Sequence, residues 1–212
     1  MKNDIMGKKI GRPLSFDRDA ALYQAMLLFW RHGYEGTSLS ELTSAMAVTP
    51  PSVYAAFGDK KRLFLEAVRL YLSGPDSSAQ LIARAPTARA AAAAMLEASA
   101  IGFTGEATPP GCLLASSTIS CSAAAGDVQA ELAGMRLEIE ANLVVRIGDD
   151  VAEGKLEPDV DASCLAGHVM AVIQGMSTLA RDGAGRDKLL GIASMAMAGW
   201  PSPVASRVEA RG

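Results

Sequence analysis

The sequence predicts an all-α protein, on three grounds. Ala, Leu and Met carry most of the apolar content while aromatic residues make up only 5%, a mixture that favours helix over strand. Apolar residues recur every three or four positions along most of the chain, the period of a helix with one buried face. The breaks between these runs hold Gly, Pro, Ser, Thr and Asp, residues that cap and stop helices. At 212 residues, half of them hydrophobic, the chain is long enough for one large domain or a small one joined to a larger one, and it is no disordered tail.

The first helix follows a polar, basic arm. Asp17 and Asp19 stand at its start, where the helix dipole favours negative charge, and Ala21, Leu22, Ala25, Met26, Leu28, Phe29 and Trp30 keep the period up to Gly33 near the C-cap. Ser38 and Glu41 then have capping-box spacing, which predicts a short second helix from about Ser38 to Met46. Ala47-Val48-Thr49 reads as a turn. Thr49 can cap and Pro50 suits a first helical position, so a third helix runs from Pro50 to about Phe57.

Two short helices across a tight turn, braced by a longer one, make a helix-turn-helix, whose second helix lies in the DNA major groove with its N-terminal residues near base edges. Here those residues are Thr49, Pro50, Pro51, Ser52 and Tyr54. Ser52 and Tyr54 bring hydroxyls, the backbone N–H of Ser38 heads the second helix as a phosphate seat, and Lys60 opens the next helix as a point charge for the backbone. Charge partition agrees. Residues 1–72 hold ten basic and seven acidic groups, net +3, while the rest of the chain is net −6, a basic reader on an acidic body.

The residues of this unit also resemble a known family. Thr37-Ser38, Leu42, Ala45-Met46-Ala47-Val48-Thr49, Val53-Tyr54-Ala55-Ala56-Phe57-Gly58-Asp59-Lys60 and Leu63-Phe64 are similar to the N-terminal domain of the TetR family of bacterial transcriptional regulators, over about residues 15 to 75. The resemblance implies a homodimer on a palindromic operator in double-stranded DNA, usually a repressor, with a C-terminal helical domain that takes a small-molecule inducer. It places Tyr54 and Lys60 on phosphates and Thr49 and Ser52 in the groove. Two positions depart from the pattern: Pro50-Pro51 stands where the family often has Lys-Gly, and Ala56 where a His is common. Fewer side chains then read bases by hydrogen bonds, leaving more to shape and to contact with thymine methyls. The arm Lys8-Lys9-Ile10-Gly11-Arg12-Pro13 offers Arg12 to the minor groove.

Beyond the reader, a fourth helix runs to Leu72 and ends at Gly74-Pro75, an Ala-rich helix spans about Thr87 to Phe103, and Pro109-Pro110-Gly111 starts another through about Cys121. A long helix follows Gly126, with Val128, Leu132, Met135, Ile139, Leu143, Ile147 and Val151 on one face, and Gly154 and Pro158 close it. Helices of about Asp159–Arg181 and Arg186–Trp200 complete the chain. In the first of these, Leu165, Val169, Val172, Met176 and Leu179 repeat at 4-3-4-3, the seam of helices packed on one another. With Ala193 and Met197 of the last helix they are expected to form a four-helix dimer interface. Domains are therefore expected at 15–75 and 76–205.

A ligand cavity is expected between the Ala-rich helix, the Cys112 helix, the long helix and the start of the next, with Met95, Phe103, Cys112, Met135, Ile139 and Met170 as candidate lining. Cys112 heads a helix, where the dipole can lower a thiol pKa, so a thiol-based electrophile or oxidant sensor is an alternative; a buried inert thiol is the simpler reading. A DNA-binding regulator without an inducer is a further alternative. His168, alone on its helix, reads as a core or interface histidine.

Other classes fall away. Two histidines, three cysteines without metal-ligand spacing and no Gly-rich phosphate loop supply neither a catalytic constellation nor a metal or cofactor site. The start MKNDIMGKKIGRP lacks an apolar core, so no secretory signal is expected and the protein is expected in the cytoplasm. Neither long uncharged stretch, 107–126 or 162–180, reads as a membrane span: the first is broken by Pro and Gly, and the second carries His168, Gln174, Ser177 and Thr178.

Overall fold

A computed structural model describes residues 16–116 and 125–201. Arg12 with its arm and Cys121 lie outside the described residues. Ten helices and no strand occur among the described residues: α1 (Arg18–His32), α2 (Leu39–Met46), α3 (Pro50–Phe57), α4 (Lys60–Leu72), α5 (Ser78–Arg84), α6 (Ala88–Gly102), α7 (Leu113–Ser116), α8 (Gly126–Ala152), α9 (Ala162–Arg181) and α10 (Arg186–Ala198).

Several helix starts carry side-chain N-caps. Asp17 accepts from the Asp19 and Ala20 N–H groups, Asp59 from Arg62 N–H, Thr87 from Ala90 N–H and Asp161 from Cys164 N–H. Each bond satisfies a donor that a first turn leaves without an intrahelical partner. In the turn between α2 and α3, Ala47 takes a left-handed conformation, φ 53 and ψ 41, at a cost of about 1–2 kcal/mol for a residue with a Cβ. Helix α5 was not expected. Its N-cap Ser77 makes no side-chain bond and only Ile82 is buried on it, so it shows neither cap nor periodicity in the sequence. Helix α10 ends two residues before Trp200.

Two apolar clusters organise the molecule. One gathers Leu22, Met26, Phe29 and Trp30 of α1, Leu42 and Met46 of α2, Val53 and Phe57 of α3, and Leu63, Phe64 and Val68 of α4. Phe29 and Phe64 meet edge to face at 5.0 Å, the geometry that aromatic quadrupoles favour. Arg18 ties this head together, pairing with Glu66 at 2.6 Å and lying 4.4 Å over the Phe57 ring. Leu113 and Leu114 of α7 and Val128 and Leu132 of α8 join the same cluster, so head and body share a core. The second cluster packs α6, α8, α9 and α10 around Met95, Leu96, Leu143, Ile147, Ala166, Val169 and Leu189.

The expected face of α8 is the one observed. Val128, Leu132, Leu143 and Ile147 are buried, and Met135, Ile139 and Val151 are half-buried. The expected seam of α9 is used differently. Val169 and Met176 are buried inside the subunit, where α9 packs against α8 and α6, and so is Ala193 on α10. Leu165, Val172, Leu179 and Met197 are half-buried. The stripe that α9 turns outward lies one position away: Cys164, His168, Ala171, Gly175 and Thr178, again at 4-3-4-3, beside Gly191, Met195 and Ala198 of α10. The larger residues serve the subunit's own core because burying them there removes most apolar area from water. Among the described residues α9 is the one helix long and apolar enough to cross a membrane by length and composition; one face of it packs on α6, α8 and α10.

Candidate nucleic-acid interface and cavity

In the head, α2 and α3 carry the residues that the sequence assigns to DNA reading, and their local bonding differs from expectation in specific ways. Ser38 and Glu41 form both bonds of a capping box: Glu41 N–H donates to Ser38 Oγ at 3.2 Å, and Ser38 N–H donates to Glu41 Oε2 at 2.7 Å. Those bonds hold the Glu41 carboxyl below its usual range. The Ser38 N–H expected to seat a phosphate is therefore already taken. The N–H groups of Leu39 and Ser40, at the first two helical positions, have no intrahelical acceptor.

Thr49 was expected to cap α3, yet its side chain makes no cap bond; its hydroxyl instead meets the Ser52 hydroxyl at 2.9 Å. Pro50 and Pro51 carry no N–H, and the Ser52 and Val53 N–H groups donate to Thr49 O at 3.0 and 3.1 Å. The first four residues of α3 consequently leave no backbone N–H free. What the start of α3 offers is the exposed rings of Pro50 and Pro51, two linked hydroxyls, and Tyr54, which is 53% exposed. Lys60, opening α4, holds its ammonium 4.7 Å from the Tyr34 ring centroid, an attraction of cation for π-face. Burial there pulls its pKa below the ordinary lysine value, opposed by the Glu35 and Glu41 carboxylates nearby.

Beneath the head, a cavity of about 590 Å³ opens between α1, α4, α5, α6, the α7 segment, α8 and α9. Of the six expected lining residues, Met95, Phe103, Cys112, Ile139 and Met170 line it. Met135 does not. It faces a separate groove between α4, α5 and α8, with Lys61, Arg69 and Glu138, because one step around α8 turns its side chain toward α4. Lys61 closes one end of that groove by pairing with Asp127 of α8 at 2.6 Å.

Among the cavity residues that sequence reasoning missed are Trp30, Tyr71, Arg136 and Gln174. Trp30 and Tyr71 belong to helices assigned to the reader, and their rings meet edge to face at 4.8 Å. The available signal was chemical, since a buried indole or phenol needs an acceptor, and both find theirs at one short segment. Trp30 Nε1 donates to Gly111 O at 3.1 Å, and Tyr71 Oη donates to Cys112 Sγ at 3.4 Å. The same segment is bolted to the body: Gly111 N–H donates to Phe103 O at 3.0 Å and Cys112 N–H to Ser177 Oγ at 2.8 Å. Cys112 is half-buried in the cavity wall, and burial pushes its thiol up from the ordinary value. The Tyr71 hydroxyl and the N–H groups of Leu114 and Ala115 pull the other way with less effect. The dipole effect expected at this position is thus outweighed, and the thiol keeps its proton at neutral pH.

Comparison with known proteins agrees with this architecture. Residues 21–67 match the bacterial regulatory proteins of the tetR family, and residues 88–188 match the tetracyclin repressor-like C-terminal domain. The chain is 37% identical over 199 residues to the HTH-type transcriptional repressor ComR of Escherichia coli, covering 93% of this chain and 95% of that protein. A cysteine-substituted form of the TetR family regulator CifR, solved in complex with 26-base-pair operator DNA, is 38% identical. It superposes with a TM-score of 0.85 over 90% of this chain and all of that one. A TetR regulator from Rhodococcus is 34% identical, with a TM-score of 0.59 over 88% of this chain and all of its own. Helix-turn-helix head, helical body and these likenesses agree, and the chain belongs to the TetR family of bacterial transcriptional regulators.

Proposed function

We propose that the protein is a homodimeric cytoplasmic repressor that grips a palindromic operator and lets go when a small molecule fills its cavity. Residues 15–75 form the reader and 76–205 the regulatory and dimerising part. The observation that carries this reading is the sharing of one cavity wall by head and body. Trp30 and Tyr71, from the helices that brace the reader, are bonded to the Gly111–Cys112 segment, so a ligand that displaces this segment changes the head directly. The small outward residues of α9 and α10 let a second copy approach closely, supporting a two-fold interface there. The relatives' printed roles as repressors and as operator complexes support the same reading.

In the groove, Tyr54 and Lys60 take phosphates while Thr49, Ser52 and the Pro50-Pro51 rings meet base edges, favouring thymine methyls. Tyr54→Ala and Lys60→Ala should each weaken binding of a duplex from the protein's own promoter at least tenfold, alike for all sequences. Lys60→Ala should also flatten the salt dependence of log K by about 0.9 per half-site, nearly 2 for a dimer. Fluorescence anisotropy at several salt concentrations measures both. A changed sequence preference would remove these residues from the phosphate contacts, and a monomer that ignores duplex DNA would overturn the whole reading.

The thiol-sensor alternative predicts that alkylation releases wild-type protein from DNA but leaves Cys112→Ser bound. The protonated, half-buried state of Cys112 weighs against it, and we expect operator release by reversible ligands to persist in Cys112→Ser, as read by the same anisotropy assay.

A further inference from the structure

We propose that the ligand of the cavity is an apolar monocarboxylic acid whose carboxylate is held by Arg136 and Tyr71. This rests on reading the cavity as the site of the releasing ligand.

Most of the wall is apolar, with Met95, Phe103, Ile139, Met170 and Ile173 prominent. Its polar groups sort by sign and depth. Arg136 is half-buried on α8, and among the described residues no carboxylate lies within the 4.0 Å of an ion pair from its guanidinium. An arginine on a helix ordinarily turns to an acid four residues on, and Glu140 is in that position. Glu140 instead lies toward α9, one carboxylate oxygen 3.5 Å from where a Cβ on Gly167 would stand. The guanidinium points to the cavity wall, where it donates one long bond, 3.3 Å, to Leu114 O. Among the described residues this is the fork's one hydrogen bond, of the five N–H donors it carries.

Tyr71 adds another. Its hydroxyl donates only to the sulfur of Cys112 at 3.4 Å, and sulfur is a weak acceptor. Burial raises the phenol's pKa well above the usual value, so the proton stays available. Arg136 and Tyr71 therefore bring to the cavity wall a cationic fork and a phenol bonded only to Leu114 O and to the Cys112 sulfur, with no carboxylate paired to either among the described residues. A carboxylate supplies what is missing, since it accepts from an Arg fork in bidentate fashion and has lone pairs left for a phenol. The acids that line the cavity, Asp76 and Glu97, are both exposed. On the solvent side they disfavour a second negative charge, which restricts the ligand to a single acid group on an apolar body. A cationic ligand would meet Arg136 at the cavity wall, where burial strengthens the repulsion.

Three probes of one chain length and different head charge test this: decanoate, 1-decanol and decyltrimethylammonium. Binding is read from tryptophan fluorescence in a Trp200→Phe background, where Trp30 in the cavity wall is the remaining indole, and operator release from anisotropy of a labelled promoter duplex. Decanoate should bind at least tenfold tighter than decanol, and the ammonium should bind weakest. Arg136→Met should bring decanoate down to decanol's affinity while leaving operator binding unchanged, and Arg136→Lys should keep part of the preference. Equal binding of all three, preference for the ammonium, binding of none, or a decanoate preference untouched in Arg136→Met would each overturn the proposal. If decanoate binds through Arg136 without releasing the operator, the ligand class stands and the release reading fails. If decanol or the ammonium releases the operator while decanoate does not, the release reading stands and the ligand class fails.

Discussion

Gly111→Ala should cost about 2–4 kcal/mol of stability and should weaken operator release more than any substitution in the apolar wall. Gly111 sits at φ +79, where a residue with a Cβ pays about 1–2 kcal/mol. A Cβ there would stand 2.8 Å from Ser177 O and 2.8 Å from Arg181 Cγ. The arginine side chain can swing aside, but the backbone oxygen of α9 cannot, so the segment itself has to move. Moving it strains the bonds to Trp30, Phe103 and Ser177 together. Gly154→Ala is the control, because Gly154 has a similar φ of +72 and open space around it, leaving only the conformational cost. Urea unfolding of both variants separates the two effects. Equal losses would mean that the close approach at Gly111 relaxes freely, and the segment would then be no rigid link between cavity and head.

Such a link suits a repressor because the reader needs only a small displacement to lose register between two half-sites. The Arg181 guanidinium donates to Trp30 O at 3.4 Å, so α9, whose outward stripe is proposed to meet the second copy, touches the end of α1 directly. A ligand shifts this equilibrium by no more than its difference in affinity for the gripping and released arrangements. On the proposed reading, that difference would come from residues shared by the cavity and the joint, chiefly Trp30, Tyr71 and Cys112.

How far the sequence discloses all this depends on whether a signal is local. Caps and turns are local, so Asp17, Ser38 with Glu41, and Pro50 mark helix starts that the structure reproduces to within a residue or so. The face of α8 was equally legible, because seven apolar residues hold one period over the whole helix. Partner choice is not local. The 4-3-4-3 seam of α9 says that a helix will be covered but not by which chain, and Val169 and Met176 turn out to be buried in the core of their own subunit. The cavity shows the same limit. Its methionines and Ile139 could be named from their helices, whereas Trp30 and Tyr71 enter through the third dimension from helices that read as part of the head. Arg136 escaped notice because a charged residue on a periodic helix looks like solvent face, and only the absence of a carboxylate beside it shows otherwise.

Asp150 is the sharpest case of a residue whose role is invisible in sequence, and Asp150→Ala should destabilise the protein by about 3 kcal/mol. It sits near the end of α8, where an acid is electrostatically disfavoured by the helix dipole, and its side chain is only 3% exposed. Its Oδ2 accepts from Ala88 N–H at 2.6 Å, capping α6 from another helix at the end where a negative charge is favourable. Its Oδ1 lies 3.4 Å from Arg146 Nη2 and 3.7 Å from Lys155 Nζ, and Arg146 in turn donates to Pro86 O. Removing the carboxylate leaves a buried N–H and a largely buried guanidinium without their partner, the situation that costs about 3–5 kcal/mol in buried pairs. The lower end applies because Arg146 keeps Pro86 and Lys155 keeps Glu153. Asp150→Asn retains an acceptor for Ala88 and should lose about half as much. Since the pair is buried, 1 M salt should leave the difference between wild type and Asp150→Ala nearly unchanged in urea titrations. A difference that salt erases would instead make Asp150 a surface charge. The cap on α6, the helix that carries Met95 and Phe103 into the cavity, would then have to be held by packing alone.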